Sequence, residues 1–428
     1  MTSPTPIPSD IDDSGLERAV AMDQTDGLAP FRDRFEIADE GLTYLDGNSL
    51  GRQPTAVASL LREVSEGQWA ERLIRGWNDG WWDLQLELGS RLSPLLGASP
   101  DHVMVSDSTT VNLYKLAAAA LDVDPGRRKI VTDDTNFPTD LYVLAGLAKQ
   151  RGMELVIVDS GAAGGPFVAL DDAIDEDTAL VSLSHTSYIS CYTYDMAEIN
   201  RRASTDGALT LWDLSHSVGA MPIDLAGSGA DLATGCTYKY LNGGPGSPAF
   251  LYVDPDLLPR LHNPIRGWWA HEAPFAMSPD FTPTEGIRRF HVGTMPILST
   301  AAIGPGLDLT LEAGIDAIRE KSVAMTSFFV DLYDLLLADI GFGLVSPRDP
   351  DRRGSHVTIS HDEAWHLTNA LIEIGQVIPD FRAPDRIRFG FAPLYNTFEE
   401  VHQAAAVLHW LVESGEYKRI DPKPRQVT

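Results

Sequence analysis

Short apolar runs alternate with longer stretches of three- to four-residue periodicity from residue 103 to about residue 212. Val103–Val105, Lys129–Thr132, Glu154–Asp159, Ala179–Ser184 and Ala208–Trp212 are almost continuously apolar or β-branched, as strands buried on both faces must be. Between them, Thr110–Leu121, Asp140–Gln150 and Asp195–Ser204 carry helical spacing. This β-α-β order predicts a wound α/β sandwich with a mainly parallel sheet, whose ligand crevice lies beyond the carboxyl ends of the strands. Upstream, Arg52–Gly97 reads as helical, with Leu60, Leu61, Val64 and Trp69 at compatible spacing.

From about Pro305 the pattern changes. A long amphipathic helix (Leu307–Leu337) precedes strands at Gly343–Val345, His356–Ser360 and Arg386–Phe389, with helices at Glu363–Ile374 and Thr397–Gly415. This predicts a smaller α+β domain. The expected division is a disordered lead over 1–13, an N-terminal segment contributing to the active site over 14–50, a large domain over 51–304 and a small domain over 305–428. The tail from Lys418, with Pro422 and Pro424, is expected to fray.

Composition narrows the partners. A formal net charge of −28 over 428 residues opposes binding to nucleic acid or an anionic membrane surface. Two cysteines, Cys191 and Cys236, are too few for a disulfide framework or a cysteine-rich metal site, and no metal is expected. Residues 1–13 have neither a basic start nor an apolar stretch, and no apolar run approaches the ~20 residues that span a bilayer. A cytoplasmic location is the expectation.

Lysine is scarce, with seven residues against twenty-six arginines, and only Lys239 lies between Lys149 and Lys321. It sits between Tyr238 and Tyr240, ahead of Gly243, Gly244 and Gly246, in a segment where a bend would let Tyr238 reach a ligand. Asp213 ends a buried run 26 residues upstream. A lysine that forms an imine and a carboxylate that keeps a pyridinium nitrogen protonated are what pyridoxal-phosphate (PLP) chemistry requires. Each candidate also has a plain structural reading. Asp213 suits a helix cap, and His216 a structural hydrogen bond. Thr109 and Thr110 supply hydroxyls and amides for phosphate at a helix start, or an ordinary cap. Phe137 would stack on a ring or fill the core, and Asp140 would cap the next helix or face a cofactor. Arg388, between Ile387 and Phe389, points away from that apolar face toward a carboxylate ligand or a surface ion pair.

The segments Tyr44–Gly51, Phe137–Asp140, Asp213–Gly219, Tyr238–Gly246, Gly267–His271, Arg289–Leu298 and Arg388–Asn396, in this order, resemble the kynureninases. That family implies a PLP-dependent transferase-like (fold type I) large domain with a mainly parallel sheet of the seven-stranded type, plus a smaller α+β C-terminal domain. It implies Lys239 as the imine lysine, Asp213 as the pyridinium partner and Phe137 as the stacking ring. Thr109, Thr110, Tyr238, Trp268 and Thr294 would hold the phosphate, the last two reaching across from the second subunit of a homodimer. Asp140, Ser184 and His216 match other cofactor-contacting positions. Arg388 would bind the substrate carboxylate, with Asn48, Ser49 and Trp77 lining the pocket.

The implied reaction is hydrolysis of L-kynurenine, or its 3-hydroxy form, to anthranilate (or 3-hydroxyanthranilate) and L-alanine in tryptophan catabolism, the kynurenine pathway that leads toward NAD biosynthesis. Tyr238 is the candidate proton donor or relay. Three positions depart from the family pattern: Cys191 replaces an expected glycine, Met295 a common proline, and Ala270 a glycine before His271. Alternatives are another fold type I enzyme, such as an aminotransferase or a cysteine desulfurase, or a non-catalytic binding protein on the same fold. A desulfurase needs a reactive cysteine, and Cys191 has no evident activating cation.

Overall fold

The computed structural model describes residues 13–161 and 167–421. The lead expected up to residue 13 and the tail beyond residue 421 fall, Asp13 apart, outside the described residues.

A two-residue strand, β1 (Thr43–Tyr44), is followed by the strands of the main sheet: β2 (Val103–Val105), β3 (Lys129–Asp133), β4 (Glu154–Val158), β5 (Thr178–Ser184), β6 (Leu209–Asp213), β7 (Leu232–Gly235) and β8 (Phe250–Val253). Their order is β2-β8-β7-β6-β5-β3-β4. All neighbours are parallel except those of β8, which runs antiparallel to both β2 and β7. The carboxyl ends of β2, β3, β5, β6 and β7 therefore share one edge of the sheet. The helices Thr109–Ala120, Pro138–Arg151 and Met196–Thr205 fall where periodicity placed them. Two apolar clusters sandwich the sheet: Val105, Val131, Val181, Leu183 and Trp212 on one side, and Met104, Ile130, Leu180 and Leu211 on the other.

Strands β9 (Gly343–Leu344), β10 (His356–Ser360), β12 (Asp380–Arg382) and β13 (Arg386–Gly390) form an antiparallel sheet in the order β12-β13-β10-β9, and β11 (Val377–Ile378) pairs in parallel with β1. Through β1, Leu45 and Ala19 the N-terminal segment shares the apolar core of this sheet. The single helix expected over Leu307–Leu337 is two, Ile303–Ala313 and Ile315–Leu332, because Gly314 adopts φ 79° and breaks the hydrogen-bond run. Arg52–Gly97 is likewise a series of short helical pieces. No helix among the described residues is long and apolar enough to cross a membrane.

Candidate active site

The shared edge collects chemistry from one strand end after another. Asp213 closes β6 and is buried, with Oδ1 accepting the Ser215 N–H at 2.8 Å. Lys239 lies in a bend four residues beyond β7, not in a strand. Its Nζ is 2.9 Å from His216 Nε2 and 5.8 Å from the centroid of the Phe137 ring. Ser184, at the end of β5, donates to Asn136 Oδ1 at 2.6 Å, and that same oxygen accepts the Phe137 N–H at 3.0 Å. Asn136 thus fixes both neighbours.

Asp140 sits in the first turn of Pro138–Arg151, 1% exposed, and neither carboxylate oxygen meets a hydrogen-bond donor. Burial, and then the adjacent Asp213, hold its pKa well above the usual carboxylate range. Two buried carboxylates side by side call for a proton or a cation between them. A pyridinium N–H satisfies that demand, and the Phe137 ring and Lys239 amine flank the same space. The residues present fit the cofactor.

After β2 the chain turns at Asp107, which has φ 48°. Its carboxylate takes a 2.7 Å ion pair from the fully buried Lys115, whose Nζ also donates to the Phe290 carbonyl at 2.9 Å. This pins the start of Thr109–Ala120, where Ser108 caps Val111, Thr109 is half-buried and Thr110 is exposed. The first-turn amides are open to an anion. Tyr238 is half-buried, and its phenol is pushed above its ordinary pKa by Cys236 and then by burial. It is a proton donor, not a phenolate, at neutral pH.

Arg388 is 1% exposed on β13. It ion-pairs with Asp380, and donates to the Tyr188 carbonyl at 2.7 Å and to Ser49 Oγ at 3.0 Å. With its amide oxygen turned toward the guanidinium, Asn48 accepts from Arg388 Nε at 2.8 Å and Nη2 at 3.2 Å. Asn48 gets this close because residue 390 is glycine; a Cβ there would lie 2.4 Å from Asn48 Cγ. Nearby Asp46 is pushed up to about 7 by burial and by Asp380. Arg388 is not a surface ion-pair residue, and one face of the clamp is already bonded to the protein. The Tyr188 ring packs edge-on against Phe137 at 5.2 Å, linking clamp and ring-stacking residue.

Trp77, Trp268 and Thr294 are not brought to this cluster. They line a cavity of about 850 Å³ with Trp82, Trp269 and Phe275. Trp82 stacks on Trp269 at 4.5 Å, and Trp77 meets the same ring edge-on at 5.1 Å. A Cβ at Gly267 would sit 1.6 Å from the Val292 carbonyl oxygen, so the Trp268 and Thr294 segments touch backbone to backbone. Of the three departures, Cys191 has a visible cost: it adopts φ 66°, a conformation that glycine takes freely. Its buried thiol accepts the His356 N–H at 3.3 Å and is pushed up to about 11 by burial. Cys236 is raised too, again by burial. Neither thiol is poised as a nucleophile.

The architecture matches that of the apo cysteine desulfurase from Thermococcus onnurineus NA1, with a TM-score of 0.76 at 20% identity over 90% of this chain and 98% of that one. A variant of C-DES with glycine covalently linked to its PLP cofactor matches at a TM-score of 0.77 and 19% identity, covering 88% and 98%. At such identities the likeness carries the fold alone. Fold and site together define a PLP-dependent enzyme of fold type I.

Residues 318–408 match the profile of the kynureninase C-terminal domain. The kynureninase of Pseudomonas fluorescens is 46% identical over 396 residues, 91% of this chain and 93% of its own. That of Burkholderia mallei (strain SAVP1) is 44% identical over 409 residues, covering 94% and 96%. The chain belongs to the kynureninase family.

Proposed function

We propose that the enzyme hydrolyses L-kynurenine to anthranilate and L-alanine, in tryptophan catabolism. The observation that carries this reading is two polar centres joined through Tyr188, whose carbonyl accepts from Arg388 and whose ring packs on Phe137. One is Lys239 with His216, Phe137 and the Asp213–Asp140 pair; the other is Arg388 with Asn48 and Ser49. An α-amino acid needs both, an amine at its α-carbon and a cation at its carboxylate. The relatives named kynureninase supply the substrate.

When bound, the cofactor supplies an electron sink for charge that develops beside the substrate carboxylate. The chain does the rest. Asp213 and Asp140 would keep the ring nitrogen of a bound cofactor protonated, Phe137 would stack on its ring, and Ser184 and His216 would complete the surround. Thr109 and Thr110 would offer hydroxyls and amides to its phosphate. Arg388 holds the carboxylate, so that Lys239 Nζ moves the α-proton in a fixed geometry. Tyr238, kept protonated, delivers a proton to the departing fragment or relays one; such help is worth ~10²–10⁴-fold.

Trp77, Trp268 and Thr294 act from a second copy of the chain in a homodimer, Trp268 and Thr294 on the phosphate and Trp77 on the aniline ring. What supports this is the exposed apolar surface of their cavity: Ile74 at 76% and Phe275 at 70%. Mixing the purified protein, PLP and L-kynurenine should release anthranilate, read by its fluorescence. An active cysteine desulfurase with no anthranilate release would overturn the assignment.

A further inference from the structure

The face of the small sheet that carries Arg388 also carries His356. In the β10–β13 pairing His356 lies opposite Gly390 and Thr358 opposite Arg388. The two-residue period puts all four on one face, while Val357, Ile359, Ile387 and Phe389 fill the core behind. The His356 ring is fully buried, with its centroid 5.6 Å from that of His216 and the planes at 60°. Neither nitrogen of His356 meets a partner, and neither does Nδ1 of His216. Three unpaired nitrogens on two adjoining buried rings is an unusual arrangement, since buried polar groups are nearly always hydrogen-bonded. The backbone beneath is fixed by the bond from His356 N–H to Cys191 Sγ.

The charged groups facing both rings are Lys239, Arg388 and Arg382; burial first, and then these cations, keep both imidazoles neutral. A neutral imidazole has one donor and one acceptor nitrogen, and the partner of one decides the role of the other. We propose that His356 is a positioning residue: it accepts the Nδ1–H of His216, after a turn of its ring or through one bridging water, and so leaves His216 Nε2 as the acceptor for Lys239. Lys239 then gives an N–H to His216 and keeps its lone pair for the α-proton. In the opposite tautomer the His216 Nε2–H would occupy that lone pair. The inference rests on Lys239 being the proton-moving amine.

The test is ¹⁵N NMR of the histidine-labelled holoenzyme, with the His216 signals assigned by their loss in His216→Asn. The expected result is His216 as its Nδ1–H tautomer; the Nε2–H tautomer overturns the proposal. This readout needs no turnover, so it stands apart from failure of the kynurenine assignment. His356→Phe keeps the volume without an acceptor and should switch the tautomer and lower kcat by about 100-fold, with KM within about twofold. His356→Gln, whose amide oxygen accepts, should recover most of that loss. A folded His356→Phe with an unchanged tautomer and kcat also overturns it. Should His356→Phe fail to fold, the wild-type tautomer decides alone.

Discussion

The Lys239 centre and the Trp268 cavity are built on opposite principles. The first is buried and polar: Asp213, Asp140, His216 and Ser184 are at most 6% exposed, and five strand ends hold them and their neighbours in place. The second is aromatic and open, with Trp268 at 43% and Phe275 at 70% exposure. Charge-handling groups must be preorganised by a single folded chain, because misplacing them by a fraction of an ångström forfeits their effect. Aromatic walls can come from elsewhere, since flat apolar contact tolerates assembly after folding. The contrast accounts for why one chain carries the bond-making groups and still leaves Trp77, Trp268 and Thr294 apart from them.

The severest way to break the comparison is Lys239→Ala. It should abolish the visible imine absorbance and lower anthranilate release by at least ~10⁴-fold, the most that acid–base help alone is worth; normal turnover would move the chemistry elsewhere. Next is Arg388→Ala, which removes the carboxylate cation and one of the two ion pairs of Asp380. Its kcat/KM for kynurenine should fall by about two to three orders of magnitude, mostly in KM, and an unchanged KM would remove Arg388 from the carboxylate site.

A third test joins the two regions. Lys239→Ala and Trp268→Ala should each be poor enzymes, yet mixed and reassembled dimers should regain roughly a quarter of wild-type activity, because half of the dimers carry one intact site built from both chains. No recovery would place Trp268 within its own chain's site.

The smallest effect is on stability. Burial lowers His185 to about 4 and His291 to about 3, and His291 stacks on Trp269 in the aromatic region. Folded values below the unfolded value near 6.5 mean stability is complete above that pH and is lost as pH falls toward 4 and 3. By pH 5 each histidine should cost about 1–2 kcal/mol of unfolding free energy. Denaturant midpoints at pH 7 and 5 check this, and His291→Phe should flatten the slope.

Much of the sheet was legible because parallel strands write themselves as unbroken apolar runs. Leu232–Gly235 escaped because Ala-Thr-Gly carries no such signal, and the break at Gly314 escaped because the helical period runs straight through it. Lys239 and Asp213 were legible from scarcity and position, and most other site residues from the family pattern. Asn136, Asp380, Lys115 and His356 were not, because their roles exist only through pairing across the fold. Asp380 meets Arg388 through strand register, and Lys115 reaches Phe290, 175 positions away. At residue 191 the family pattern led to an expectation of glycine, and the cysteine there takes a left-handed turn at φ 66°.

The contact between Gly267 and the Val292 carbonyl has a consequence for how this pocket can change over evolutionary time or in the laboratory. The Trp268 and Thr294 segments are welded into one frame, so neither can slide while the other stays. A new fit in this cavity must come from exchanging the panels on its wall, and Trp77, which the proposed reading sets against the aniline ring, is the one that faces substrate. Libraries that vary residue 77 and spare residue 267 are where altered substrate range should be sought.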